Sequence, residues 1–75
     1  MKFDNDLDAL GLLCPLPVLK ARKRLAGLKA GQVLRMQADD PAAVIDVPHF
    51  CIESGHHLIA TQNAATHQIY FIRKK

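Results

Sequence analysis

Residues 7–17 read LDALGLLCPLP, and this stretch decides how the chain begins to fold. An apolar run ends at Cys14, where a Cys-Pro-Leu-Pro sequence begins. Proline is tolerated in the first turn of a helix, because the amides there have no acceptor within the helix. We therefore predict a strand over 5–10, a connecting turn over 11–13, and a helix that begins at Pro15 and has Cys14 at or beside its N-cap.

The remaining elements follow from hydrophobic periodicity and from the positions of glycine and proline. We predict helices over 15–28 and 42–54, the second interrupted at Pro48, and further strands over 32–38, 57–62 and 67–73. The loop over 63–66 is short enough to join the last two strands as an antiparallel hairpin. For the order βαβαββ, the economical fold is an α/β structure of the α+β two-layer sandwich type. It has a four-stranded mixed sheet with both helices packed on one face, in a single domain over residues 1–75.

Each helix has an apolar face that we predict to be buried against the sheet. In the first helix this face carries Val18, Ala21, Leu25 and Leu28, and the opposite face carries Lys20, Lys23 and Arg24. In the second helix the corresponding sets are Val44, Val47, Cys51 and Ser54, and Asp46, His49 and Glu53. The polar sets therefore lie away from the predicted core.

The composition is that of an ordinary globular chain, with 75 residues, 49% of them hydrophobic and 23% charged. A chain of this size buries only about 60% of the surface that it exposes when unfolded. We therefore expect a thin core, no deep enclosed pocket for a large cofactor, and chemistry at the surface. The acidic first eight residues are unlike a signal peptide, and no apolar stretch is long enough to span a membrane. We expect a cytoplasmic protein whose cysteines are free thiols.

The positive charge of the chain is mild but unevenly placed. The net charge is +3, and lysine and arginine cluster over 20–29 and 73–75. Such clusters suit an acidic partner, either protein or RNA. A solvated helix face and a solubilising tail explain them equally well.

Cys14 is the most informative residue for function. The first turn of a helix presents unpaired N–H groups and about half a positive charge, which stabilise a thiolate and lower its pKa. The neighbouring prolines stiffen the turn and hold the sulfur in a fixed, exposed position. This arrangement suits a sulfur that attacks or is attacked. The alternative is a buried, inert cysteine, which the position between an apolar run and two prolines disfavours.

The other candidate groups have simpler explanations. Cys51 lies on the predicted apolar face of its helix and is expected to be a buried thiol, although a part in transfer stays open. Asp40 is explained as a cap of the second helix. A βαβ crossover makes the first two strands parallel, so both helices start at the same sheet edge. Asp39 and Asp40 are then expected to rim the Cys14 site and to oppose thiolate formation somewhat.

The histidines do not predict a metal site. His56 and His57 are adjacent at a strand start, where their side chains point to opposite faces of the sheet. Together with Cys51 they do not match the ligand spacing of structural zinc. We interpret them, and His49, as single surface histidines, and we predict no metal site.

Three segments taken together resemble one known family. They are LDALGLLCPLP at 7–17, ADDPA at 38–42 and DVPHFC at 46–51. These are similar to the Cys-Pro-x-Pro signature, the second-helix entry and the middle of that helix in the TusA/SirA-like sulfur carriers. The resemblance spans nearly the whole chain. It implies a two-layer α/β sandwich similar to the C-terminal domain of translation initiation factor 3.

The resemblance also implies a sulfur relay with Cys14 as the persulfide carrier, and a relay component rather than a stand-alone enzyme. The sulfur would come from a cysteine desulfurase or rhodanese-like donor. It would pass to an acceptor protein, in tRNA 2-thiouridine synthesis or other sulfur trafficking. Pro15 and Pro17 would support the site, and no cofactor beyond the transient persulfide is implied. The tRNA-thiolation member has Glu between its prolines, where this chain has Leu16, so the pathway stays open.

The partners implied are proteins, and we expect a monomer that binds neither a membrane nor nucleic acid directly. Leu16 falls on the exposed side of its helix in line with Lys20 and Lys23. It is either a lone surface leucine or an anchor for a partner, with Lys20, Lys23 and Arg24 steering an acidic surface toward it. The alternative function is a small regulatory or RNA-binding module with a basic helix and a purely structural Cys14. The chain has only four aromatic residues, which gives an RNA-stacking platform little support.

Overall fold

A computed structural model describes residues 1–75 of the protein. The elements in chain order are β1 (Asn5–Ala9), α1 (Leu16–Ala26), β2 (Val33–Ala38), α2 (Ala43–Ser54), β3 (His57–Asn63) and β4 (Gln68–Arg73). The predicted order βαβαββ is therefore confirmed, and most boundaries fall within a residue of their predicted positions. The largest difference is the end of α1, which stops at Ala26 because Gly27 breaks the helix there.

The sheet is four-stranded and mixed, with the strand order β1-β2-β4-β3. β1 and β2 pair in parallel, with Ala9 opposite Ala38 at their C-terminal ends. β4 pairs antiparallel with both β2 and β3. The α+β class and the hairpin at the end of the chain are thus as predicted. The parallel pair matters most for function, because it brings the segments that precede α1 and α2 to the same edge of the sheet.

Both helices contribute to one core with the sheet. α1 contacts β1, β2 and α2, and α2 also contacts β3. The buried cluster takes alternate residues from the strands and one face from each helix: Leu7, Ala9, Ala21, Leu25, Leu34, Met36, Ala38, Ala43, Val47, Phe50, Cys51, Tyr70 and Ile72. Only 16 of 75 residues are buried, so the core is as thin as the chain length predicts. Neither helix is long and apolar enough to cross a membrane.

The buried face of α2 differs from the prediction at three residues, Ala43, Val44 and Phe50. Val44 is 54% exposed, whereas Ala43 and Phe50 are buried together with Val47 and Cys51. The buried face begins at Ala43, one residue earlier than predicted. The helix is therefore rotated about its axis relative to the prediction, and the large Phe50 ring lies in the core in place of Val44. Pro48 lies inside α2 without interrupting it, because the assigned helix is continuous from Ala43 to Ser54.

Candidate functional site at Cys14

Cys14 lies in the turn that joins β1 to α1, and its side chain is exposed. Pro15 occupies the N-cap position of α1, and no side chain caps the helix. The backbone of the turn is held locally, since the Leu16 N–H donates to the Leu13 carbonyl at 2.9 Å. Cys14 therefore lies one position before the N-cap of α1, on a short turn at the C-terminal edge of the parallel strands.

Two aspartates from the segment after β2 hold this turn. The backbone N–H of Cys14 donates to Asp40 Oδ2 at 2.5 Å, and the N–H of Gly11 donates to both carboxylate oxygens of Asp39 at 3.0 and 3.1 Å. The other oxygen of Asp40 accepts the N–H of Ala42 at 3.0 Å, at the start of α2. The structure thus brings Asp39 and Asp40 to the Cys14 turn, and each accepts a backbone hydrogen bond from it.

An open groove runs from Cys14 between the two helices, with a volume of about 630 Å³. Its lining comes from the turn, from both helices and from the start of β3: Cys14, Pro15, Val18, Arg22, Asp46, His49, Phe50, Glu53, Ser54 and His56. The polar face of α2, interpreted from the sequence as simply pointing away from the core, forms one wall of this groove. The sequence analysis did not predict this wall. The pattern that could have indicated it is the i, i+3, i+7 spacing of Asp46, His49 and Glu53 on a helix that starts beside Cys14.

The charges in the groove are partly paired. His49 Nε2 lies 2.6 Å from Glu53 Oε1, one helical turn further along α2. On the opposite wall, the Arg22 guanidinium carbon lies 5.7 Å from the centre of the Phe50 ring. Asp46 forms no ion pair within 4.0 Å. A carboxylate without a cationic partner therefore lies in the same groove as the Cys14 sulfur.

The pKa of the Cys14 thiol is raised above its ordinary value, which corrects the sequence-based expectation of a stabilised thiolate. The largest cause is a hydrogen bond from the thiol to the Asp46 carboxylate, followed by desolvation and by the charges of Asp46 and Asp40. Pro15 and Pro17 add to this, because they remove donors that a helix start would otherwise offer. At neutral pH the Cys14 thiol is therefore protonated.

The second cysteine is a different kind of group. Cys51 is buried in the core, and desolvation raises the pKa of its thiol to about 11. A thiol with such a pKa is protonated at neutral pH and inaccessible to large reagents. The sequence-based interpretation of a buried thiol agrees with this placement.

His56 also lines the groove, and it lies next to the C-terminus. Its Nδ1 accepts the backbone N–H of Lys75 at 3.0 Å. Desolvation lowers the pKa of His56, and the positive charges of Lys74 and Lys75 act in the same direction. The structure contains no group of three or more His, Cys, Asp or Glu side chains that could hold a metal ion.

The four residues predicted to dock a partner divide into two kinds. Leu16 is 46% exposed, although it is apolar, and Lys20 and Lys23 are also exposed. Arg24 is held against β1 instead, because its Nη1 donates to Asn5 Oδ1 and to the Asp6 carbonyl, both at 2.9 Å. Arg24 therefore ties α1 to the sheet, whereas the side chains of the two lysines make no hydrogen bond or ion pair.

The fold and the site define a class of small α+β proteins that present an exposed cysteine on a Cys-Pro-x-Pro turn. The chain is similar to a solved structure, the SirA-like protein from Desulfitobacterium hafniense, with a TM-score of 0.82 and 26% sequence identity. The match covers 93% of this chain and 96% of that one.

Sequence comparison narrows the class to a family. The family model described as "Sulfurtransferase TusA" matches residues 5–74. The chain is 43% identical to "Sulfur carrier protein TusA" of Pseudomonas syringae pv. syringae (strain B728a) over 75 residues, which is all of this chain and 89% of that protein. It is 46% identical to the protein of the same name from Pseudomonas entomophila (strain L48), over 96% of this chain and 90% of that protein. The chain belongs to the TusA family of sulfur carrier proteins.

Proposed function

We propose that this protein accepts sulfane sulfur on Cys14 as a persulfide and passes it to an acceptor protein. The observation that carries the proposal is the exposed sulfur of Cys14 on a turn held by Asp40, in a chain of the TusA family. Sulfur transfer between proteins needs a thiol that a partner's sulfur can reach directly. An exposed thiol on a held turn meets that need, and a buried cysteine would not.

The transfer step is a thiol exchange that involves no net oxidation. The Cys14 thiol loses its proton, and its sulfur attacks the terminal sulfur of a donor persulfide. A new S–S bond forms at Cys14, the S–S bond of the donor breaks, and the donor leaves as a thiolate that takes up a proton. The sum converts a Cys14 thiol and a donor persulfide into a Cys14 persulfide and a donor thiol. Handing the sulfur on repeats the same exchange with an acceptor thiol.

The protein acts in this scheme as one component of a relay and not as a stand-alone enzyme. A cysteine desulfurase or a rhodanese-like protein supplies the sulfur, and the acceptor is a second protein. The carrier needs no resident cofactor, since the only added group is the persulfide itself. We place the relay in the cytoplasm, where the thiol of Cys14 stays reduced. Leu16, Lys20 and Lys23 form the docking surface next to the sulfur.

The alternative of a regulatory or RNA-binding module gains little support. Such a module would use Cys14 as a structural residue, yet Cys14 lies outside the buried cluster. Few aromatic rings of this protein are exposed for stacking on bases. Tyr70 and Phe71 are buried in the sheet, and Phe50 is buried on the inner side of α2. The relay is therefore the function that we carry forward.

Intact-mass analysis after incubation with a cysteine desulfurase, its cofactor and cysteine tests this proposal. We expect one added sulfur atom on the native protein and on Cys51→Ala, and none on Cys14→Ser. The cysteine-to-serine change should leave the fold intact, because the side chain is exposed and makes no capping bond. Loading of Cys14→Ser at the native yield would overturn the proposal. So would a native protein that takes up no sulfur from either a desulfurase or a rhodanese-like donor with thiosulfate.

A further inference from the structure

The two outer strands of the sheet differ in how they are protected from pairing with another chain. β1 and β3 are the outer strands, and an outer strand exposes unpaired N–H and C=O groups along its free side. β1 is five residues long and carries Asp6 and Asp8, and the Asp6 carbonyl accepts a hydrogen bond from Arg24. Short length and charged side chains keep an edge from pairing, so β1 is a protected edge.

β3 lacks these protections. Its seven residues, HLIATQN at 57–63, include no Lys, Arg, Asp, Glu or Pro, and the loop over 64–66 adds none. The backbone of β3 makes no hydrogen bond outside its pairing with β4. A bulge between Leu58 and Ala60 disturbs the start of the strand, and the pairing is regular from Ala60 to Asn63. The free side of this regular stretch is therefore open to another strand.

α2 carries an exposed apolar surface above the same edge. Val44, Ile45 and Ile52 are 54%, 74% and 80% exposed, and Pro48 is half-buried. These four positions follow the helical repeat and share one face, which we call the outer face of α2. The acidic side chains of α2 that line the groove lie on the other side of the helix, toward α1. Because α2 contacts β3, its outer face lies over the free edge of the sheet.

We propose that the β3 edge and the outer face of α2 form one interface at which a second copy of this chain pairs its β3 antiparallel to the first. The two four-stranded sheets then join into one continuous sheet, and the two α2 helices lie side by side above the junction. This pair replaces the sequence-based expectation of a monomer. The sequence analysis placed Val44 in the core and therefore did not foresee an apolar outer face.

The absence of charge favours a second copy as the occupant. A two-fold pair places each surface against itself, so a charged surface would repel its copy. The chain has a net charge of +3, yet β3 and the outer face of α2 contribute none of it. The nearest basic cluster, at 73–75, lies beside His57 at the start of β3, away from the regular stretch. An acidic or basic partner finds no complementary charge on this surface, whereas a second copy needs none.

The size of the surface also suits a pair of copies. A biological interface buries at least about 1,000 Å² in total, or about 500 Å² from each partner. The accessible surface of this chain is 4576 Å², so that share is about a ninth of it. The seven residues of β3 and the four of the outer face of α2 make eleven of 75 residues, and most of them are exposed. The surface is therefore large enough for a specific dimer.

The sulfur stays accessible in this pair. Cys14 follows β1, which is the outer strand at the opposite edge of the sheet from β3. The groove beside Cys14 also opens on the other side of α2 from its outer face. The pair therefore presents two separate Cys14 sites, one at each end of the joined sheet.

Sedimentation equilibrium of the full chain at protein concentrations up to about 1 mM tests the proposal. A reductant is present, so that no disulfide joins two Cys14 residues. We expect the native protein to shift from the monomer mass of 8.3 kDa toward twice that mass. Ile52→Glu and Thr61→Lys should each weaken the dimer about tenfold or more, because symmetry puts two copies of the new charge in one interface. Both side chains are exposed, so both variants should keep the fold.

The matched control is Leu19→Glu, which introduces the same charge at an exposed apolar position of α1 and should dimerise as the native protein does. Hydrogen exchange locates the contact without any variant. The amides over 60–63 should exchange more slowly at high protein concentration than at low, whereas those of β1 should not change.

The outcomes separate the possible occupants of the surface. A native protein that stays monomeric at about 1 mM overturns the proposal. If Ile52→Glu slows sulfur transfer in such a monomer, the surface belongs to a different protein and not to a second copy. A dimer that persists in both variants, that weakens equally in Leu19→Glu, or that leaves the exchange over 60–63 unchanged has its interface elsewhere, and each of these results overturns the proposal. Loading of Cys14 is measured separately, so its failure would overturn the proposed function and leave the dimer standing.

Discussion

Cys14 and Asp40 lie 26 residues apart in the chain, yet the backbone N–H of the first donates a hydrogen bond directly to a carboxylate oxygen of the second. The other oxygen of Asp40 accepts from the start of α2. One carboxylate therefore joins the turn that carries the sulfur to the helix that carries Asp46. The parallel pairing of β1 and β2 makes this contact possible, because it ends both strands at the same edge.

Replacement of Asp40 should destabilise the protein more than replacement of its neighbour. Asp40 is 8% exposed and holds two backbone N–H groups, whereas Asp39 is exposed and holds one. We expect Asp40→Ala to lower the free energy of unfolding by about 1–3 kcal/mol, since two backbone N–H groups in partly buried hydrogen bonds lose a charged acceptor. Urea denaturation measures this, with Asp39→Ala as the control. Equal losses in the two variants would mean that burial of Asp40 adds nothing.

Cys51 should matter for stability and not for sulfur transfer. Its side chain is 3% exposed and belongs to the core cluster, so Cys51→Ala should cost on the order of 1 kcal/mol. Cys14→Ala is the matched control, and its cost should stay within about 0.5 kcal/mol, as for other exposed positions. Denaturant melts give both values, and the loading assay is run beside them. Loss of loading in a folded Cys51→Ala protein would assign Cys51 a part in transfer.

The burial of Cys51 also predicts how its contribution depends on pH. Desolvation raises the pKa of its thiol from 9.0 to about 11 in the folded protein. The contribution of the Cys51 thiol to the free energy of unfolding is therefore complete below pH 9 and is lost as the pH rises toward 11. The reason is that this thiol ionises at a lower pH in the unfolded chain than in the folded protein. We expect the difference in unfolding free energy between native protein and Cys51→Ala to shrink over this window. A constant difference from pH 8 to 11 would contradict the prediction.

Arg24 and Lys23 are adjacent on α1 but should respond differently to truncation. The Arg24 guanidinium donates hydrogen bonds to Asn5 and to the Asp6 carbonyl in β1, whereas the Lys23 side chain makes no hydrogen bond or ion pair. Arg24→Ala should lower the free energy of unfolding by about 1 kcal/mol, and Lys23→Ala should leave it nearly unchanged. Thermal melts of the two variants compare them directly. If both variants melt with the native protein, the contact between Arg24 and β1 contributes nothing measurable.

Much of this fold is predictable from local signals. Pro15 and Pro17 indicate where α1 begins, Gly55 indicates where α2 ends, and the alternation over 33–38 indicates a half-buried strand. A βαβ order then requires parallel pairing of the first two strands, which places Asp39 and Asp40 near Cys14 before any coordinates are known. These inferences succeed because each depends on the chemistry of a few neighbouring residues.

The predictions that were wrong, the buried face of α2 and the direction of the Cys14 pKa shift, concern features that depend on how the two helices pack. The periodicity of α2 fits several rotations about its axis, and only the packed core decides that Phe50 turns inward while Val44 stays exposed. The same rotation places Asp46 in the groove with Cys14, which reverses the predicted direction of the pKa shift. A helix start alone favours a thiolate, but a carboxylate on the neighbouring helix outweighs it. No local pattern near Cys14 carries that information.

The exposed stripe on α1 should separate anchoring from steering. Leu16 lies two residues after Cys14, and Lys23 lies about 10 Å further along the same side of the helix, at 1.5 Å per residue. We expect Leu16→Glu to change which partners exchange sulfur, because it removes an apolar contact beside the sulfur. Charge reversal at Lys20 and Lys23 should instead slow association and flatten its dependence on salt, since these charges act at a distance. Stopped-flow transfer rates with a desulfurase donor, measured across salt concentrations, distinguish the two effects.

The control for these variants is Lys2→Glu. It reverses a charge before the N-terminal end of β1, whereas Cys14 follows the C-terminal end of that strand. If neither set of variants differs from this control in rate, salt dependence or partner preference, the stripe is a solvated helix surface and docking occurs elsewhere.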